Sequence, residues 1–527
     1  MADREGMSGS APSRTDRLAA LPEHVRRKVL AELAGASADG AAESGIPCVS
    51  RAGALPLSTA QQRLWFLYET DPRSVEYNAP RVLRLTGTLD VRALRAAVAT
   101  LVARHEPLRT TFDTVDGAGV QTVHPGWEVP VQLSDLTELS PELREDALDR
   151  LLREQVSTPF DLRNGPVFRV LLVRLADEDH VLMLDMHHIV SDGWSMGVLV
   201  DELNNVYAAE LAGVAADLPE LPVQYADFAS WERDKLAGEG IDGQLEYWRA
   251  QLADLSPLEL LTDRPRPPVW TASGALRVFE VPAEVVSELK ALGKRHGTTL
   301  FMTLVAVTQL LFSRLSGSQD VAVGTVTSGR GRPELEKLVG MFINTLVIRS
   351  TVDESVSVGE LLESVRTTVL DAFANPDVPF QDLVKALTPE RDLSRPPLVQ
   401  VMVNLQNAPE TAAALPGLRV TEMAPPVSAA SLDLGIDFHE RDGKLVGYVE
   451  YNTDLFDESS VDDVIRRLTS LLSGVCAGGP VWQVPMESSA SVVSSGPVVS
   501  VGCGVVERLL WWVGVCPGGV AVRDGGG

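Results

Sequence analysis

Apolar positions along the chain follow two rhythms, one repeating every three to four residues and one forming short dense runs. Residues Leu21 to Ala34 take the helical rhythm, with Leu18, Leu21, Val25, Val29 and Leu33 near one face. Pro22 fits the first turn of such a helix, where its missing N–H costs nothing. An Ala/Gly/Ser-rich stretch from Gly35 to about Gly53 predicts a linker. The globular part is predicted to start near Leu55. Its first half alternates strand and helix. Arg81 to Leu85 is strand-like, and Asp90 can cap a helix whose apolar face carries Leu94, Val98 and Leu101. Val181 to Val190 is a dense apolar run of strand length, and Met196 to Leu211 is helical. A Pro-rich hinge, Arg264-Pro265-Arg266-Pro267-Pro268, then interrupts the pattern. Beyond it Ala275 to Val281 predicts a strand, Ala283 to His296 a helix and Leu300 to Leu315 a buried helix. Val321 to Val326 and Leu346 to Ser350 predict further strands. Two consecutive α/β lobes, joined near residues 240–275, are the expected architecture.

Length and charge narrow the picture. The 527 residues, 45% of them hydrophobic, can bury more core than one typical domain needs. Asp+Glu 72 against Lys+Arg 46 gives a net charge of -26, which makes nucleic acid and anionic membranes poor partners. The charge is spread along the chain, as on an acidic solvated surface. Met1 through Arg14 has no apolar core of the signal-peptide kind. The apolar run Phe301 to Phe312 is broken by Thr303, Thr308 and Gln309 and is too short to span a bilayer. Cys48, Cys476, Cys503 and Cys516 form no CxxC pair, which suits a reducing cytoplasm and no structural metal. From Ser488 onward the chain is Ser/Val/Gly-rich, and no separate core is expected there.

Candidate chemistry concentrates in Met186-His187-His188-Ile189-Val190-Ser191-Asp192-Gly193-Trp194-Ser195, which closes an apolar strand and opens a helix. Neighbours on a strand point to opposite faces, so His187 and His188 cannot readily share a metal ion. One is expected in the core and the other at a cavity. The bland alternative is a buried histidine pair with Asp192 as a helix cap. The functional one is a base: histidine titrates near pH 6.5, while an α-amine sits near 8 and is mostly protonated at neutral pH. No G-x-S-x-G elbow, Walker loop or G-x-G-x-x-G after a strand is present, which argues against a serine hydrolase or a phosphate cradle.

The string His187-His188-x-x-x-Asp192-Gly193 resembles the HHxxxDG signature shared by condensation domains of non-ribosomal peptide synthetases and chloramphenicol acetyltransferase-like acyltransferases. Companion motifs stand in the family's order. They are Leu57-Ser58-Thr59-Ala60-Gln61-Gln62-Arg63-Leu64-Trp65, Arg104-His105-Glu106-Pro107-Leu108-Arg109-Thr110-Thr111-Phe112 and Tyr225-Ala226-Asp227-Phe228-Ala229-Ser230-Trp231. Val339-Gly340-Met341-Phe342-Ile343-Asn344-Thr345 with Arg349, and Arg391-Asp392-Leu393-Ser394-Arg395-Pro396-Pro397-Leu398, complete the series. The resemblance covers roughly residues 55 to 475. Departures fall at Pro376, Gln381, Pro396 and Val399, outside the histidine motif.

The resemblance implies two chloramphenicol acetyltransferase-like lobes in a V shape with a tunnel between them. The division it suggests is 1–53 for the N-terminal helix and linker, 54–240 and 241–480 for the lobes, and 481–527 for a linker or truncated start of an adenylation domain, which Pro517 to Asp524 faintly resembles. It implies a catalytic group of His188, His187, Asp192 and Gly193, supported by Arg330, Arg109 and Arg63, with Arg330 the partner of Asp192. Trp194, Ser195, Tyr225 and Asn344 are expected on the tunnel wall. Substrates would arrive on 4'-phosphopantetheine arms of donor and acceptor peptidyl carrier proteins, with no cofactor held by the chain itself. An adenylation domain would act downstream or in trans. The implied reaction is amide bond formation between a donor thioester and an acceptor α-amine, with His188 as base or orienting acceptor. Tyr77-Asn78-Ala79-Pro80 resembles the subtype taking an L-residue donor. An epimerisation domain usually continues its motif Asp-Gly-Val-Ser-Trp, whereas Asp192-Gly193-Trp194-Ser195 stands here. A catalytically silent, partner-recruiting domain is the non-enzyme alternative.

Overall fold

The computed structural model describes residues 45–486, apart from 238–240, 388–391, 407–413, 424–425 and 427–428. The chain divides into two units, Met1–Met486 and Glu487–Gly527. The helix expected at Leu21 to Ala34 and the segment beyond Ser488 lie outside the described residues.

The elements of the first half are β1 (Leu55–Pro56), α1 (Thr59–Thr70), β2 (Asn78–Gly87), α2 (Val91–Arg104), β3 (Thr110–Val115), β4 (Ala118–Val123), β5 (Val131–Asp135), α3 (Pro141–Val156), β6 (Phe168–Ala176), β7 (Asp179–His187), α4 (Gly193–Ala212) and α5 (Tyr225–Leu236). Those of the second are α6 (Asp242–Gln251), β8 (Gly274–Val281), α7 (Ala283–His296), α8 (Leu300–Ser316), β9 (Asp320–Thr327), β10 (Asn344–Thr351), α9 (Val358–Phe373), α10 (Phe380–Leu387), β11 (Val401–Gln406), β12 (Leu418–Met423), β13 (Leu434–Arg441), β14 (Lys444–Asn452) and α11 (Glu458–Gly474).

Each half is built on a mixed sheet. The first has strand order β12-β2-β7-β6-β5, the second β10-β9-β11-β13-β14-β8, and β1-β4-β3 form a small third sheet. Strand β7 is apolar on both faces because both are covered. Val181 and Met183 pack with Leu148 and Leu152 of α3, whereas Leu182, Leu184 and Met186 pack with α2 and α4. Asp90 caps α2, its carboxylate accepting from the Arg92 and Ala93 amides at 2.8 and 3.1 Å. In the second half, α8 is buried along most of its length. Its Gln309 side chain donates to the Val321 and Ile348 carbonyls at 3.2 and 2.9 Å, tying β9 to β10 from inside the core.

Several expectations are corrected. The apolar run to Val190 leaves the strand at His187, and residues 188–190 form a 3₁₀ turn. The division near residue 240 is crossed twice by later chain. Strand β12 pairs antiparallel with β2 at the edge of the first sheet, Leu418 opposite Gly87 through Met423 opposite Val82. Leu335, Leu338, Met341 and Phe342 join a first-half core around Leu57, Leu64, Tyr225 and Phe228. Residues 45–53 are anchored rather than a free linker. Arg51 grips both Asp227 oxygens at 2.6 and 2.9 Å and Glu106 at 2.8 Å, and the Val49 amide donates to Asp227 at 2.7 Å. The second half also runs past residue 480. Val481 and Val484 are buried in its core, their carbonyls accepting from Arg314 at 2.8 and 2.7 Å.

Candidate active site

The register of β2 against β7 sets Asn78 opposite His187 at the end of the ladder. One step on, the His188 amide donates to the Tyr77 carbonyl at 2.9 Å. The chain then turns, Ser191 N–H donating to the His188 carbonyl at 3.1 Å, and α4 begins. This strand-turn-helix corner sends the two histidines apart. His187 is buried between Phe160 and Tyr77, and its Nδ1 accepts the Ile189 N–H at 3.1 Å. Burial, with His188 and Arg169 nearby, holds its pKa down at about 3, so it stays neutral. His188 instead lines a cavity of about 1430 Å³ whose wall takes in both halves of the chain. Its Nδ1 lies 3.1 Å from the Ser191 carbonyl, which can only accept, so Nδ1 carries the proton and the lone pair falls on Nε2. Burial lowers its pKa, opposed by that carbonyl and by Asp192, which favours the neutral, basic imidazole.

Beneath the histidines a buried polar hub fixes the corner. Asp192 caps α4, accepting from Ser195 N–H and Oγ–H, both at 2.7 Å. Its carboxylate also receives Arg330 Nη2 at 3.1 and 3.3 Å and the Phe342 amide at 3.2 Å. Arg330 Nη1 donates to the Leu335 and Leu338 carbonyls at 2.6 and 2.8 Å, and the guanidinium lies 4.1 Å from the Phe342 ring centroid. Ser195 Oγ accepts the Gly340 N–H at 3.0 Å. The motif aspartate is therefore a brace whose oxygens are occupied by fixed donors.

Of the residues expected to support or line the site, some reach the cavity. Arg63 and Trp194 line it, as does Gly193. The indole of Trp194 donates to the Glu336 carbonyl at 2.8 Å. Four others do not line it. Arg109 is spent on the backbone carbonyls of His124 and Ala103, far along the chain from the hub. Ser195 is fully buried inside the hub. Tyr225 is buried as well, its hydroxyl held by the Met341 carbonyl at 2.5 Å and Ser58 Oγ at 2.7 Å. Asn344 donates to the Pro376 and Val378 carbonyls at 2.9 and 2.8 Å and accepts from the Phe380 amide at 3.1 Å, pinning the loop that presents Phe380 to the cavity. The polar groups of Ser195, Tyr225 and Asn344 found partners inside the fold and do not face the cavity.

Sequence reasoning missed Glu76, Asn404, Gln406 and Asp437 on the cavity wall. The signal for the last was present as alternation: Leu434, Ile436 and Phe438 enter the core, and Asp437 faces the other way. Among the described residues no group of three or more His, Cys, Asp or Glu is arranged to hold a metal ion. No single described helix is long and apolar enough to cross a membrane.

Two α/β halves on mixed sheets, with a histidine at a strand end in a cavity lined by both, share the fold of solved condensation domains. The condensation-domain family model matches residues 51–481. A linear gramicidin synthase polypeptide of Brevibacillus parabrevis is 44% identical over 450 residues, covering 84% of this chain and 9% of that protein. Phosphinothricin tripeptide synthetase PhsC of Streptomyces viridochromogenes is 40% identical over 476 residues, covering 89% of this chain and 43% of that protein. The chain thus spans less than half the length of these relatives. Among solved structures, the X-domain from teicoplanin biosynthesis superimposes with a TM-score of 0.75 at 29% identity, covering 84% of this chain and 99% of that one. The first condensation domain of the calcium-dependent antibiotic synthetase gives 0.73 at 22% identity, covering 83% and 99%, a likeness of fold. The chain belongs to the condensation-domain family of non-ribosomal peptide synthetases.

Proposed function

We propose that this chain catalyses amide bond formation between a donor acyl or peptidyl thioester and the α-amine of an acceptor aminoacyl thioester. Both substrates arrive on phosphopantetheine arms of carrier proteins, the acceptor having been activated by an adenylation domain. The observation that carries the reading is His188. It lines the cavity with Nδ1 committed to the Ser191 carbonyl, leaving Nε2 basic. In the step, the amine nitrogen attacks the thioester carbonyl, the C–N bond forms, the C–S bond breaks and the donor thiol leaves. Nε2 of His188 takes the proton the amine must lose, or holds that amine in line, and the departing sulfur is reprotonated. Alignment of two tethered substrates supplies much of the rate, since orientation can replace chemical assistance. Gly193, exposed at the start of α4 on the cavity wall, is suited to bring a backbone N–H near the developing oxyanion. The wording around Tyr77-Asn78-Ala79-Pro80 supports an L-residue donor. The cysteine usage supports a cytoplasmic setting, and the relatives' names support secondary-metabolite peptide synthesis, antibiotics among them.

A second reading is a catalytically silent domain that recruits a partner. It is favoured by the likeness to the X-domain from teicoplanin biosynthesis, which is also solved in complex with OxyB. One experiment separates the two. Loaded donor and acceptor carriers are mixed with the wild type and with His188→Ala, and the acceptor carrier is followed by mass spectrometry. Transfer by the wild type, lost on substitution in a protein with an unchanged melting temperature, supports condensation. No transfer by the wild type with any carrier pair, or equal turnover by the variant, overturns the role given to His188.

A further inference from the structure

Three carboxylates from three separate segments converge on the cavity. Glu76 precedes β2 and Asp437 sits mid-strand on β13, and both line the wall. Glu450 on β14 lies just behind, accepting the Ser431 N–H at 2.9 Å and within electrostatic reach of both. Their neighbours are mostly neutral. Asn404 donates its amide to Asp437 at 2.9 Å, held in that orientation because its own oxygen accepts the Val326 N–H at 3.1 Å. His439 also faces Asp437, and Tyr77 and Arg63 face Glu76. Among these groups Arg63 carries the fixed positive charge, against three acids. Burial raises the proton affinity of all three, and for Glu450 repulsion from Asp437 and Glu76 adds to it, taking it up to about 7. An acid group desolvated beside other acid groups is costly unless a cation joins it.

Building on the condensation reading, we propose that Glu76, Asp437 and Glu450 make the cavity selective for a carrier-bound aminoacyl group with a cationic side chain. The acceptor's α-ammonium is a poorer occupant. It must lose its proton to attack, and a nest of carboxylates would hold it charged and non-nucleophilic. A lysine-like or arginine-like side chain stays charged throughout and satisfies the acids without opposing the chemistry.

The test uses the whole chain and two soluble probes, lysyl-pantetheine amide and the near-isosteric neutral norleucyl-pantetheine amide. Both carry the α-amine, so their difference reads the side-chain charge. Titration should show the lysyl probe binding roughly tenfold or more tighter, as expected for a charge-assisted hydrogen bond away from bulk water. Asp437→Asn and Glu450→Gln, near-isosteric and checked for unchanged melting, should bring the two probes towards parity. Equal binding of the probes to the wild type overturns the proposal. So does an equal loss for both probes in the variants, which would mean that the acids hold the α-amine. A second arm loads lysine on the donor or on the acceptor carrier, opposite leucine, and assigns the cationic side chain to one arm. Charge selectivity in binding without condensation of any pair would refute the amide-forming function and leave the selectivity standing.

Discussion

Arg330 reaches across 138 residues of sequence to place one guanidinium nitrogen on both oxygens of Asp192, at 3.1 and 3.3 Å, with both side chains withdrawn from solvent. The pair joins the loop after β9 to the cap of α4, the helix that succeeds the histidine turn. Asp192→Asn should therefore act through stability and loop geometry. Removing one partner of a buried ion pair leaves the other charge uncompensated and costs about 3–5 kcal/mol. In a double-mutant cycle with Arg330→Met, the double variant should lose much less than the sum of the singles. Chemical denaturation measures this, and additive losses would show that the pair is not coupled.

The buried His187 predicts a pH dependence of stability with a definite sign. Its folded pKa, about 3, lies below the value of about 6.5 expected in the unfolded chain. Between those values the unfolded state binds a proton that the folded state refuses, so stability falls as pH drops below about 6.5. The largest slope from one such group is about 1.4 kcal/mol per pH unit. In His187→Asn, whose Oδ1 can replace Nδ1 as acceptor for the Ile189 N–H, that component should vanish. Unfolding free energies of both proteins at pH 5 and pH 7 give the comparison. An unchanged difference between the two pH values would mean that His187 is already charged when folded.

Much of the fold was legible because long elements carry strong periodic signals. The helix Ala283–His296 was read with those bounds, and the strands β9 and β10 extend the predicted runs by a residue or two at each end. The crossing segments were not legible. Nothing in Leu418–Met423 says that its partner is β2, because pairing across more than three hundred residues is decided by the assembled sheet edge and not by local pattern. Near the histidine turn, the pairing of Asp192 with Arg330 was legible because a buried charge demands a partner. Tyr225 and Asn344 were misassigned for the complementary reason. Their polar atoms looked available in sequence, and only the packed fold shows Met341, Ser58, Pro376 and Val378 taking them.

Gly340 packs directly against the ring of Tyr225, more than a hundred residues away in sequence. A Cβ built there would lie 1.9 Å from Cδ2 of the Tyr225 ring, and the tyrosine is itself buried and bonded at its hydroxyl. Gly340→Ala should thus cost at least the about 1–3 kcal/mol typical of overpacking, and should displace the nearby Phe342 amide that donates to Asp192. Tyr225→Phe, which keeps the ring and removes the hydroxyl, should cost about 1–3 kcal/mol by leaving the Met341 carbonyl short of a donor. Melting temperatures rank the two. An alanine variant as stable as wild type would mean that the ring can withdraw.

The last residues of the second half decide where the chain can be cut. Val481 and Val484 are buried, and each buried valine is worth about 1.5–3 kcal/mol over an exposed one. Their carbonyls also take two N–H groups of Arg314, whose remaining partner is Glu354, so deleting them strands a largely buried guanidinium. Ending the chain after residue 480 should consequently lower the melting temperature sharply, even though the histidine site lies elsewhere in sequence. Ending it after residue 486 keeps both valines and both carbonyls, and removes a Ser/Val/Gly-rich stretch with few periodic apolar positions to pack. That shorter chain should melt like the full one and turn over loaded carriers at the same rate. Matched thermal melts and carrier assays on the two truncations test the boundary directly. Equal stability of both would show the terminal valines to be dispensable, and loss of activity in a folded 1–486 chain would assign a working role to residues 487–527.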